Sequence, residues 1–154
     1  LLRAGCASLR AGEFSETLPG GVQASPDAMD VAGDISAQMP AALHLVDRRV
    51  GRMPQHFTIL VCRTNCFARH VPVPGAAAAQ LKNRVFVNAD LVQPGLIPAV
   101  LAHELTHVLI QEQRGQDLHK VPEWANERLA VWVSGAGTEG CSDATEEMQQ
   151  HPIC

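Results

Sequence analysis

From Asp27 the apolar residues fall at Ala28, Val31, Ile35, Met39, Leu43, Val46 and Val50. Steps of three and four predict an amphipathic helix. Pro40 lies inside it and predicts a kink, or two helices meeting near Met39, with Gly51 and Pro54 ending the run. Phe57 to Cys62, FTILVC, is rich in β-formers and predicts a strand, turned at Asn65. Residues 67–83 hold Pro72, Pro74, Gly75 and a run of alanines, and predict a loop with at most one helical turn. Arg84 to Asn88 alternates polar and apolar and predicts a second strand. Pro94, Gly95 and Pro98 open a helix that runs to about Arg114, where Gly115 stops it. Its core face is Ile97, Leu101, Leu105, Val108 and Leu109. Pro122 opens a further helix to about Ser134, before Gly135 and Gly137, and a short last helix is expected near residues 146–150. Residues 1–25 show no sustained period and read as a flexible N-terminal arm. The expected class is α+β, with a small β-sheet packed on a helix and two further helices behind it.

Composition changes this picture little. The chain has 154 residues, enough for one domain, and no internal repeat. Hydrophobic residues make up 46% and aromatic residues only 4%, so the core must be built from Val, Leu, Ile and Ala. The net charge of −4 and the lack of a basic stripe argue against nucleic acid as a partner. No apolar run is long enough for a transmembrane segment.

The helix opened by Pro98 carries the chemistry. Within it stands His103-Glu104-Leu105-Thr106-His107. Histidines at i and i+4 share one helix face, so both imidazoles can reach one ion. Zinc takes such nitrogen ligands, and Glu104 can reach a water on that ion without occupying the metal. This is the HExxH arrangement of zinc peptidases. Two surface histidines on an amphipathic helix are the plain alternative, but the surrounding helix is largely apolar. A catalytic zinc needs a third protein ligand. Downstream, Val121-Pro122-Glu123-Trp124-Ala125-Asn126-Glu127-Arg128-Leu129-Ala130 offers two carboxylates. Glu123 lies at the helix start, where an acidic residue also serves the dipole.

Taken together, HELTHVL and PEWANERLAVWVSG resemble the gluzincin metallopeptidases, whose second motif reads roughly P-x-W-x-x-E-G-L-A. The match covers about residues 97 to 135. The resemblance implies a zincin-like fold over residues 26–154, a Zn2+ cofactor held by His103, His107 and Glu127, and Glu104 as general base. It implies hydrolysis of peptide bonds in a peptide or protein substrate. It also implies an edge strand beside the active-site helix that pairs with extended substrate, for which residues 84–88 are favoured. Two departures stand out: Arg128 replaces the glycine after the ligand glutamate, and the chain has no tyrosine. Of His44, His56, His70, His119 and His151, His119 is the best placed to stabilise the oxyanion in place of the tyrosine, with a plain loop histidine the favoured alternative reading and chain beyond Cys154 another source of the stabiliser. Trp124 and Trp132 are expected in the core.

The departures keep a second class open: a zincin scaffold that binds zinc and peptide but turns over poorly, acting as an envelope factor. A structural zinc site is the third, though it would have no use for Glu104 and would be closed by a fourth protein ligand. The five cysteines allow pairing of Cys62 with Cys66 and of Cys141 with Cys154, or unpaired buried thiols. Leu1-Leu2 ahead of Ala4-Gly5-Cys6 is similar to the end of a bacterial lipoprotein signal, with Arg3 departing from it. A lipid anchor at Cys6 is the lesser reading of this stretch, an ordinary chain terminus the plainer one; an extracytoplasmic location, periplasmic, secreted or anchored, is expected, with a cytoplasmic one still open.

Overall fold

A computed structural model describes residues 12–135. Cys6, Cys141, Cys154 and the helix expected near 146–150 lie outside the described residues. The chain is mixed α+β. In order, it forms β1 (Glu16–Leu18), β2 (Val22–Ala24), α1 (Met29–Val50), β3 (Thr58–Cys62), α2 (Thr64–His70), β4 (Ala78–Leu81), β5 (Arg84–Asn88), α3 (Ile97–Arg114) and α4 (Glu123–Ser134). Short 3-10 turns precede α1 and α3 and fill residues 115–120.

The five strands form one sheet in the order β1-β2-β3-β5-β4. The inner pairs β2–β3 and β3–β5 are parallel, and β1 and β4 are added antiparallel at the two edges. Parallel neighbours need crossovers, and α1 makes the one between β2 and β3. Alternation along β3 and β5 divides the core. Ile59, Val61, Val85 and Val87 face α1 and α3, while Leu60, Cys62 and Phe86 face α2.

Four expectations are corrected here. First, residues 16–24 are not part of a loose arm: β1 and β2 form a hairpin, and Ile59, Leu60 and Val61 pair with Val22, Gln23 and Ala24. The domain therefore begins ahead of residue 26. Strands of three residues are too short to show a period, and the long-range ladder decides them. Their turn uses Gly20 at φ 81°, where an added Cβ would come within 3.1 Å of Met39. Second, of the kink or the two helices expected at Pro40, two helices are ruled out: α1 runs unbroken from Met29 to Val50. Pro40 is exposed, and its ring removes the helix donor to the Ser36 carbonyl without breaking the helix. Ala32, Ile35, Met39, Ala42 and Val46 carry its buried face, and Gly51 caps it in the left-handed region. Third, residues 64–70 are a helix and 78–81 a strand, where a turn and loop were expected. Fourth, the strand at 84–88 is interior, between β3 and β4; the edge is β4.

Cys62 and Cys66 are disulfide-bonded, with Cα atoms 5.9 Å apart. Arg63, between them, binds Asp30 at the start of α1 and Asp90 after β5, each at 3.0 Å. Asp90 also accepts the backbone N–H and hydroxyl of Thr64, both at 2.9 Å. No helix among the described residues is long and apolar enough to cross a membrane.

Candidate functional site

α3 is fixed before it meets any ligand. Ile97, Leu101, Leu105, Val108 and Leu109 are all buried against the sheet and α1, as the spacing predicts. That leaves His103 and His107 on the flank facing α4. Thr106 between them is fully buried, and its hydroxyl donates to the Ala102 carbonyl at 2.7 Å, so it does not compete for the site. α4 packs on α3 through Ala130 and Val133. Its opening proline and the left-handed Gly135 set its limits. This packing turns Glu127 toward the two histidines.

The three side chains meet. His103 Nε2 and His107 Nε2 are 3.2 Å apart. Glu127 places Oε2 3.4 Å from His103 Nε2 and Oε1 3.2 Å from His107 Nε2. All three donor atoms lie within 4.8 Å of one another, so the group could hold a metal ion. Two imidazole nitrogens and a carboxylate oxygen are a donor set that suits zinc. Among the described residues no fourth donor joins them, and no Lys or Arg pairs with Glu127. Burial disfavours the charged form of His103, the adjacent His107 adds to this, and Glu127 opposes it. The neutral imidazole is the ligand form.

Glu104 is buried beside the group. Burial pushes its carboxyl up to about 7, the charge of Glu127 adds to that, and the Gln80 backbone N–H holds it back. Gln80 belongs to β4, so the free edge of the sheet borders the site. Between that edge and α3 runs a cleft of about 290 Å³. Its walls are Ala77, Ala78, Leu96, Ala99 and Val100, and His103 and Glu104 line it too.

One contact was not singled out from the sequence. Asn126 places Oδ1 2.8 Å from His107 Nδ1. The ring N–H donates to that oxygen, which leaves the Nε2 lone pair directed at the centre. The available signal was its place next to Glu127 on α4. Other expectations fare differently. His119 is exposed in the 3-10 turn, with Nδ1 donating to the Gln116 carbonyl at 2.7 Å, and it joins neither the ligand group nor the cleft. Arg128 is exposed, as is Glu123. Trp124 and Trp132 are not core residues: they are 61% and 46% exposed, and Arg49 lies 5.0 Å over the Trp132 ring. Their stretch of α4 faces solvent because Ala130 and Val133 take the packing positions.

Searches of protein-family models, curated proteins and solved structures find no match to this chain.

Proposed function

We propose that this chain is a zinc-dependent peptidase of gluzincin type with a zincin-like fold. The observation that carries the reading is the convergence of His103, His107 and Glu127 beside the buried Glu104, at the mouth of an open cleft. His103, His107 and Glu127 would hold the ion, and the lack of a fourth protein donor among the described residues favours a catalytic over a structural site. When bound, zinc supplies a Lewis acid that polarises the scissile carbonyl and makes water a nucleophile near neutral pH.

The chain's own groups do the rest. A carboxylate oxygen of Glu104 takes the proton of the attacking water and passes it to the leaving nitrogen. Asn126 holds the His107 ring in the tautomer that keeps Nε2 free. The free edge of β4 can receive an extended peptide by backbone pairing, which gives affinity with little side-chain selectivity. The apolar wall of Ala78, Leu96 and Val100 suits an apolar substrate side chain beside the cleaved bond. The Cys62–Cys66 bond supports an extracytoplasmic, oxidising location.

The test is Glu104→Gln. Zinc content and folding should stay as in the wild type, while turnover of a cleaved peptide should fall by the ~10²–10⁴-fold typical of losing a general acid or base. Equal hydrolysis by the variant would refute the mechanism. A wild type that holds zinc yet cleaves nothing in a diverse peptide library would favour the scaffold reading.

A further inference from the structure

A second cluster of donors stands on the other face of the sheet. Glu13, Cys66 and His70 each place one donor atom within 4.8 Å of the others. Cys66 and His70 are one turn apart on α2 and share a helix face. His70 Nε2 lies 2.8 Å from one Glu13 oxygen, and Arg69 closes on the other. The His70 ring is 8% exposed and stacks on Phe86 at 5.0 Å, with Phe14 on its flank. Its Nδ1 is buried without a hydrogen-bond partner among the described residues. A buried polar atom left without a partner is uncommon and asks for a reason. In this state the Cys66 sulfur is bonded to Cys62 and offers no thiolate.

We propose that reduction of the Cys62–Cys66 bond opens a second metal site, in which Glu13, Cys66 and His70 bind a divalent cation of zinc type. The freed Cys66 thiolate joins an imidazole and a carboxylate in a three-donor set that includes sulfur, unlike the sulfur-free group on α3 and α4. The ion would take the place of the disulfide in holding α2, and would tie it to Glu13 at the start of the described chain.

The redox step balances with a dithiol reductant. Its thiolate attacks Cys66 Sγ, since Cys66 is slightly exposed and Cys62 is not. The Cys62–Cys66 bond breaks, a mixed disulfide forms, and Cys62 leaves as thiolate. The second reductant thiol attacks the mixed disulfide, frees Cys66 and closes the reductant's own disulfide. Two electrons reach the two cysteines. The incoming ion then displaces the Cys66 thiol proton to solvent. Oxidation runs the same steps backward and expels the ion.

Cobalt(II) is the probe, because bonding to sulfur gives a charge-transfer band in the near ultraviolet that the sulfur-free group on α3 and α4 cannot give. The full chain is titrated oxidised and after reduction with a phosphine. The band should appear only in the reduced protein. His70→Gln and Glu13→Gln should each weaken cobalt affinity by at least ~10-fold, the lower end of what even an outer-sphere partner is worth. His107→Ala should leave the band unchanged, so this site and the peptidase reading can fail separately. A reduced wild type without the band overturns the proposal. So does a band that Glu13→Gln and His70→Gln leave intact, since the sulfur ligands would then lie elsewhere in the chain.

Discussion

His103 and His107 with Glu127, and His70 with Glu13, use the same chemical groups on opposite faces of one sheet. Their settings differ in every other respect. Glu13 is nearly buried and balanced by Arg69, while Glu127 is half exposed and, among the described residues, pairs with the two histidines and with no Lys or Arg. His70 is clamped between aromatic rings, whereas His103 and His107 meet edge to face at 4.9 Å along an open cleft. Around Glu13, burial would raise the carboxyl, but hydrogen bonds and charge from Arg69 and His70 hold it below its ordinary value. The pair on α2 has its charge satisfied from within. The group on α3 and α4 has an acid with no fixed cation and room for one. That contrast, more than the presence of histidine and glutamate, separates a group that could hold an ion as it stands from one whose sulfur is engaged while the Cys62–Cys66 bond is intact.

The sharpest way to break the contrast is Glu127→Ala. Both histidines remain, but the acid is gone, so zinc content and peptidase activity should be lost together, with an affinity loss beyond the ~10–100-fold typical of outer-sphere partners. Metal analysis after dialysis reads it. A variant that keeps its zinc would show that the acid is not a ligand. Asn126→Ala is next. It leaves every proposed ligand in place and frees the His107 ring, so zinc affinity should fall by ~10–100-fold. Competition with a chelator measures this, and unchanged affinity would mean that the contact is only structural.

The smallest effect is expected at Asp90→Asn, on the disulfide side. The Asp90 carboxyl is held below its ordinary value, first by the Thr64 backbone N–H, then by the Thr64 hydroxyl and Arg63, against a small opposing effect of burial. A depressed carboxyl contributes stability above its unfolded pKa and loses it as pH falls through the folded one. The variant should therefore melt slightly below the wild type at neutral pH, and the two curves should converge in acid. Zinc content should not change. A loss of zinc in this variant would mean that the two faces are coupled.

The sequence announced some of these parts better than others. α3 and α4 were legible because prolines open them, glycines close them and the apolar spacing is regular. His103, Glu104 and His107 were legible from the spacing of one helical turn, and Glu127 from the resemblance of its helix to the second gluzincin motif. β4 was hidden, since Ala78-Ala79-Gln80-Leu81 lacks the β-branched residues of a strand and is held by its ladder to β5. β1 and β2 were hidden because three-residue strands show no period and β2 depends on its ladder to the distant β3, while missing β4 hid the edge of the sheet beside the site. Asn126 could be placed on α4 but not aimed, because its direction depends on how α4 packs on α3. The Trp side chains misled because size suggested burial, while both stand largely exposed on α4, Trp132 under Arg49.

The packing of α4 back onto α3 has a consequence in time. His103, His107 and Glu127 belong to two neighbouring helices joined by a short 3-10 turn, so bringing them together closes only a small loop of chain. The site pairs residues 20 and 24 apart, while the parallel ladders β3–β5 and β2–β3 pair residues 26 and 37 apart, across α2 with β4 and across α1, and contacts of higher sequence separation form more slowly. The helical hairpin should therefore be native-like at the folding barrier, ahead of the sheet. Zinc present during refolding would then speed the folding limb, since stabilising an element already formed in the transition state raises the folding rate. Stopped-flow refolding with and without zinc measures it, and a rate indifferent to the metal would place the hairpin after the sheet.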